Sequence, residues 1–377
     1  MLELDERNRH FDRLLNTPDL MWLGQNTNHF PTPAEVRQAM LDCIAAEEFH
    51  VYAPPAGLQD LRDLILEDVG LPDATALVTD GAIEGLYHAC RTLIRPGDDF
   101  ITTDPGWKWP IAFCRAAGAN IVELPIYGPE NGYRLRPAQL ADAVTERTRL
   151  IYLVDPNNPL GICYTADEIR AFTDIARDVG AYLIHDCTYR HFADDHTLAA
   201  GLYPERTLTT YSFSKWLGIA GLRVGAIIGD GAVMEELAAA PPNNLGSNVL
   251  SQRAAIAGIG VKAAWFPEVQ RRQRRNQDAI RQAALTVPGL DVPIHPSQGN
   301  FMIVDVQGAG VSPDALCQVL AEHKILIRQA GYHTDRFADR FVKISTTVPE
   351  DWVDRLCDLM PEAVDAARGL NRPANLY

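Results

Sequence analysis

The chain has 377 residues, of which 47% are apolar and 22% charged, the make-up of a folded globular protein and not of a disordered or fibrous one. Its 34 basic and 49 acidic side chains leave a net charge of −15, which speaks against a general affinity for nucleic acid or an anionic membrane. Small anionic ligands stay open, because an Arg or Lys inside a low-dielectric cleft acts regardless of net charge.

The first ten residues, MLELDERNRH, are charged from the third onward, so they lack the apolar run of a secretory signal and a cytoplasmic protein is expected. Residues 4–15 read as an amphipathic helix, followed by a loop punctuated by Pro31 and Pro33. From residue 74 the pattern changes to short apolar runs at 74–78, 99–102, 120–124, 150–154, 181–185, 207–211 and 224–228, each the length of a buried strand. Helical patterns separate most of them, at 83–93, 109–117 and 165–179, the last opened by Thr165 with Glu168 at capping-box spacing. That alternation predicts an α/β fold, with a mostly parallel seven-stranded sheet between helices.

Residues 251–284 form one long helical stretch, and strands follow near 300–305 and 341–345. The expected organisation is an N-terminal arm and small-domain segment (1–45), a large domain (46–265) and a small α+β domain (266–377). The most apolar long stretch, 249–266, carries Arg253 and Lys262 and falls short of the ~20 uninterrupted apolar residues of a membrane span. Seven cysteines, never in a C-x-x-C pair, read as reduced core residues.

Polar residues gather just after the apolar runs, where the strand ends of an open parallel sheet border a ligand crevice. They are Thr79-Asp80-Gly81-Ala82, Asp104-Pro105-Gly106-Trp107, the segment Asp155 to Gly161, His185-Asp186-Cys187-Thr188-Tyr189 and Ser212-Phe213-Ser214-Lys215. The cluster of His185, Cys187, His191, Asp194, Asp195 and His196 matches no standard ligand spacing, so no metal site is expected. Neither G-x-G-x-x-G nor a P-loop occurs, which removes the usual nicotinamide and nucleoside-triphosphate readings.

Taken as an ordered set, Y-A-P-P-A-G-x-x-x-L-R from Tyr52, N-N-P-x-G from Asn157, D-x-x-Y from Asp186 and S-x-S-K ending at Lys215 with Arg223 eight residues on resemble the class I/II aminotransferases, fold-type I enzymes that use pyridoxal 5'-phosphate. The likeness runs from Asn26 to Lys343. It implies that Lys215 forms the internal Schiff base and moves the proton between Cα and the cofactor. An amine in that role must be partly neutral, and aromatic neighbours with Arg223 nearby would lower its pKa.

The resemblance further implies that Asp186 keeps the cofactor's ring nitrogen protonated, that Tyr189 and Asn158 share its 3'-oxygen, and that Trp107 stacks on the ring. Gly81, Ala82 and Ile83, opening a helix, would cradle the phosphate with Ser212 and Arg223. In the family the counterpart of Tyr52 reaches the phosphate of the neighbouring subunit, so a homodimer with shared active sites is implied.

Two positions depart from the family. Lys343 stands where an arginine normally grips the substrate α-carboxylate, offering a point charge in place of a fork. Asn26 stands where many members have glycine. Both are candidate substrate-binding residues, and Asn26 is the nearest candidate for an extra donor to the substrate acid.

The first reading is an aminotransferase moving an amino group between an amino acid and a 2-oxo acid. The alternative keeps the cofactor but acts as a lyase, decarboxylase or cyclase. A non-catalytic regulatory module is disfavoured by the intact Lys215, Asp186, Tyr189 and Asn158, and no DNA-binding extension is expected before Leu4 or after Tyr377.

Overall fold

The computed structural model describes residues 2–240 and 245–370; the last seven residues assigned to the small domain lie outside that range. Seven of its twelve strands form one sheet: β2 (Thr75–Thr79), β3 (Asp99–Asp104), β4 (Asn120–Pro125), β5 (Thr148–Val154), β6 (Tyr182–Asp186), β7 (Thr207–Ser212) and β8 (Gly225–Gly229). Their order is β2-β8-β7-β6-β5-β3-β4, and only β8 runs antiparallel to its neighbours. Each lies within two residues of the run that predicts it.

Strand alternation sorts the side chains into two layers. Phe100, Tyr152, Ile184 and Ile227 pack beneath Leu86, Ala89 and Leu93 of the helix Ala82–Leu93. On the opposite face, Ile101, Ile151, Leu153 and Leu183 meet Ile169, Phe172 and Ala176 of the helix Ala166–Asp178. That helix begins with the expected capping box: Thr165 accepts from the Glu168 amide and Glu168 accepts from the Thr165 amide.

A 38-residue helix, Val249–Thr286, links the large sheet to the small domain and stays continuous through Pro267. The expected division at 265/266 falls inside this helix. Its first half packs on the helix Ala34–Ala45. Ile280 and Ala284 in its second half join the small-domain core with Met302, Val304, Val342 and Ile344. The small domain's three-stranded antiparallel sheet has the order β11-β12-β9, built from β9 (Phe301–Asp305), β11 (Arg328–Gln329) and β12 (Phe341–Ser345).

A short part of the N-terminal segment packs with this domain. Its strand β1 (Met21–Trp22) pairs in parallel with β10 (Ile325–Leu326), and Leu23 is buried in the same core. Asn276 on the long helix donates to the carbonyls of Thr346 and Val348, both at 2.9 Å, and so fixes the chain leaving β12. Among the described residues no helix is long and apolar enough to cross a membrane.

Candidate active site

The strands β2, β3, β5, β6 and β7 all end at one edge of the large sheet, and the polar clusters follow those ends, as in open α/β sheets generally. They line a cavity of about 240 Å³ that contains Ala82, Ile83, Trp107, Asn158, Asp186, Tyr189, Ser212, Lys215 and Arg223. A second lobe of about 760 Å³ shares Trp107, Asn158, Tyr189, Lys215 and Arg223 and extends to Asn26, Arg328 and Lys343. Of the residues singled out in the sequence, Gly81 is the N-cap of the helix whose Ala82 and Ile83 line the first lobe. Tyr52 stands apart from both lobes, 81% exposed on the surface.

Lys215 sits on the short helix Phe213–Trp216 directly after β7, and Ser212 caps that helix by accepting from the Ser214 amide. Its Nζ donates to the Gln25 carbonyl at 3.2 Å. The side chain retains some accessible area toward the cavity, yet its amine lies deep inside the protein. Burial, with a smaller contribution from the positive charge of Arg223, pulls its pKa down to about 8, so an appreciable fraction is neutral near neutral pH.

Asp186 ends β6 and is held by four bonds. Its Oδ1 accepts from the Thr188 amide, the Thr188 hydroxyl and the Thr210 hydroxyl at 3.2, 2.6 and 2.8 Å. Tyr152 donates to Oδ2 at 2.6 Å, which leaves a lone pair of that oxygen for the cavity. Sequence reasoning missed Tyr152, which reads as one more apolar member of a buried strand.

The turn between β2 and the helix Ala82–Leu93 is shaped by glycine. Gly81, the N-cap, has φ +83°, and a Cβ built there would lie 2.4 Å from Arg223 Nη2. Glycine therefore lets the guanidinium sit against the helix N-terminus, where Arg223 also donates to the Asp80 and Ala220 carbonyls at 3.1 and 2.8 Å. Gly225 allows β8 to pass this turn, since a Cβ there would come within 2.6 Å of the Ala82 amide nitrogen. Free amides, a helix N-terminus and a forked cation make an anion cradle.

Facing these groups is a wall from the small domain and the N-terminal loop. Asn26 adopts φ +54°, left-handed backbone that glycine enters freely and that Asn tolerates better than most residues. Its Nδ2 donates to the Tyr189 hydroxyl at 3.0 Å, and its Oδ1 is buried without a partner. Lys343 is buried and donates to Asn158 Oδ1 at 3.3 Å. Burial, then the positive charges of Arg328 and Lys215, hold its pKa well below the usual lysine value. Arg328, Arg7 and Trp109 also line this lobe and were missed in the sequence, where Arg328 follows an apolar triplet too short to mark a strand.

Beneath the site, Asp155 Oδ2 accepts from His185 Nε2 at 3.3 Å, Tyr164 donates its amide to Oδ1 at 3.0 Å, and His196 Nε2 lies 3.1 Å from the Asp155 carbonyl oxygen. Cys187 joins the two histidines in a group of metal-capable side chains. Because His185 Nδ1 accepts from the Ala199 amide, its Nε2 carries the proton and donates to Asp155. The ring nitrogens thus work as hydrogen-bonding groups.

The model of the class I and II aminotransferase family matches residues 18–359, and the chain belongs to that family. It is 25% identical over 371 residues to aspartate aminotransferase of Pyrococcus horikoshii, covering 95% of this chain and 94% of that protein. It is 29% identical over 349 residues to aspartate/prephenate aminotransferase of Thermus thermophilus, covering 88% of each. The solved structure of Thermus thermophilus aspartate aminotransferase with maleate has the same fold, with a TM-score of 0.84 at 23% identity over 96% of both chains.

As a member, the chain is an enzyme that transfers amino groups from amino acids and uses pyridoxal 5'-phosphate. The lyase, decarboxylase or cyclase alternative is not favoured. The groups around the cavity suit that cofactor: a low-pKa lysine, a carboxylate with an open lone pair, and an anion cradle that a side chain at residue 81 would fill.

Proposed function

We propose that this chain moves an amino group between an amino acid and a 2-oxo acid, with Lys215 as the amine that carries pyridoxal phosphate. The observation that carries the reading is the meeting of Lys215, Asp186, Tyr189, Asn158, Ser212 and Arg223 around one cavity. When bound, the cofactor supplies an electron sink for the pair released at the substrate Cα. Lys215 Nζ, with its pKa near 8, can both take the Cα proton and return it within one cycle.

Asp186 would hold the proton on the ring nitrogen, and Tyr189 with Asn158 would hold the 3'-oxygen. Trp107 would lie against the ring, while Gly81, Ala82, Ile83, Ser212 and Arg223 would hold the phosphate. Lys343 is proposed to anchor the substrate carboxylate, with Asn26 orienting Tyr189 beside it.

A homodimer with shared sites accompanies this reading. The exposed large apolar side chains Leu41, Ile44, Phe49 and Val51 lie close to Tyr52 in the chain, and such a surface is suited to a second copy. A cytoplasmic location fits the same reading.

The experiment is to load the purified protein with pyridoxal phosphate, add a panel of amino acids one at a time and follow the cofactor's visible band. An amino donor should shift the band, and a 2-oxo acid should restore it. A loaded protein that no amino acid changes, or that releases carbon dioxide without the 2-oxo acid restoring the band, contradicts aminotransfer.

A further inference from the structure

Two cations face the larger lobe from neighbouring strands. β11 runs antiparallel to β12 and sets Arg328 directly opposite Lys343. Side chains opposed in this way leave the sheet on the same face, with Cβ atoms about 5 Å apart. Both residues are buried, and both line the lobe that holds Lys215 and Asn158.

The charge in that lobe is one-sided. Among its described lining residues are Arg7, Lys215, Arg223, Arg328 and Lys343, and no Asp or Glu. Lys215 and Arg223 are accounted for by the cofactor. Lys343 and Arg328 face each other across the strand pair, so a carboxylate entering the lobe can meet both cations.

The two heads differ in what they can specify. A guanidinium presents a planar fork that fixes both the position and the plane of a carboxylate, whereas an ammonium fixes mainly distance. Lys343 is already tied to Asn158 Oδ1, which places its charge beside the reacting end of the cavity. The Arg328 guanidinium lies over the Tyr332 ring at 4.6 Å, and its Nε points to the Gly24 carbonyl at 3.4 Å. A ring face and a carbonyl together set the plane of the fork.

We infer that Arg328 and Lys343 clamp the substrate's α-carboxylate together, with Arg328 supplying the planar contact that a lysine at position 343 does not give. The fork missing from β12 is thus provided by the residue opposite it on β11. This inference rests on the aminotransferase reading above and adds to it a carboxylate-binding residue that the sequence motifs do not reveal.

The test compares two substrates of the cofactor-loaded enzyme: the amino acid that reacts fastest in the panel, and the amine that differs from it only by loss of the α-carboxyl. In Arg328→Gln, kcat/KM for the amino acid should fall by about 30-fold or more, as when one partner of a buried charge contact is removed, while the value for the amine stays within about twofold. Arg328→Lys, which keeps the charge and is the safer variant for folding, should also lose activity toward the amino acid because the fork is gone.

The exchange Arg328→Lys with Lys343→Arg moves the fork to the other strand and should recover most of that loss. If the amino acid and the amine decline together, or if neither changes, Arg328 does not hold the α-carboxylate and the inference is overturned. Failure of the native chain to take up cofactor at Lys215 would instead strike the functional reading itself, so the two failures are distinguishable.

Discussion

The wall built by the large sheet carries its polar groups at the ends of five strands, whereas the facing wall hangs on a two-residue edge strand, the central strand of a small sheet and a loop in left-handed backbone. In the first wall the polar groups are fixed by bonds within the protein: Asp186 accepts four hydrogen bonds, and Arg223 donates to two carbonyls. In the second wall Lys343 and Arg328 stand together, and among the described residues no acid lines their lobe. One wall holds its groups in place through bonds within the protein, and the other gathers Lys343 and Arg328 toward an incoming anion. A preorganised wall suits a permanent cofactor, while an excess of positive charge suits a substrate that comes and goes.

The comparison is broken most severely at Asp186. Asp186→Asn should lower kcat by about 3 to 4 kcal/mol, the scale of removing one preorganised electrostatic group, while far-UV circular dichroism stays unchanged. Near-normal turnover would mean that this carboxylate does not face the ring nitrogen.

Lys215 gives a stability test without substrate. Its native pKa of about 8 lies below the unfolded value of 10.5, so the unfolded chain binds more protons between those two pH values and stability rises with pH across that window. The cost of burying the charge is fully present below pH 8 and gone above about 10.5, and amounts to about 3 kcal/mol at roughly 1.4 kcal/mol per pKa unit. Without cofactor, Lys215→Met should be more stable than the native chain at pH 7, with the gap closing toward pH 10.5 in urea unfolding. A gap that is constant with pH would show that the amine is not buried as a charge.

Lys343→Met sharpens the contrast from the other wall. It should reduce kcat/KM for amino acids by about 2 kcal/mol, the low end for truncating a buried charge contact because the lobe is open to water. Cofactor uptake should be unaffected. If both kcat and KM stay unchanged for every substrate, Lys343 does not touch the carboxylate. The smallest effect is expected for Gly81→Ala, where the added methyl displaces the flexible end of Arg223 and φ +83° is strained. Cofactor affinity should weaken by about 1 kcal/mol, the low end of backbone-strain costs, measured by equilibrium dialysis.

The same contrast governs what the amino-acid sequence reveals. The seven strands were readable because each is a short run of strand length dominated by apolar, β-branched or aromatic residues, and Lys215, Asp186 and Gly81 were readable because they follow those runs in the motifs described. Arg328 was not, because β10 and β11 are two residues each, too short to leave a strand pattern, and β10 pairs with β1 from the other end of the chain. Tyr152 hid for a different reason: its hydroxyl finds Asp186 only through the register of β5 on β6. The role of Asn26 depends on its positive φ and on Tyr189 standing within 3.0 Å, neither of which local pattern records.

The most direct measurement is borohydride reduction of the cofactor-loaded protein, followed by digestion and mass spectrometry to locate the attached pyridoxyl group. The expected result is one modified residue, Lys215, with no adduct in Lys215→Ala. Modification of Lys343 or another lysine in place of Lys215 would contradict the assignment on which the whole functional reading stands.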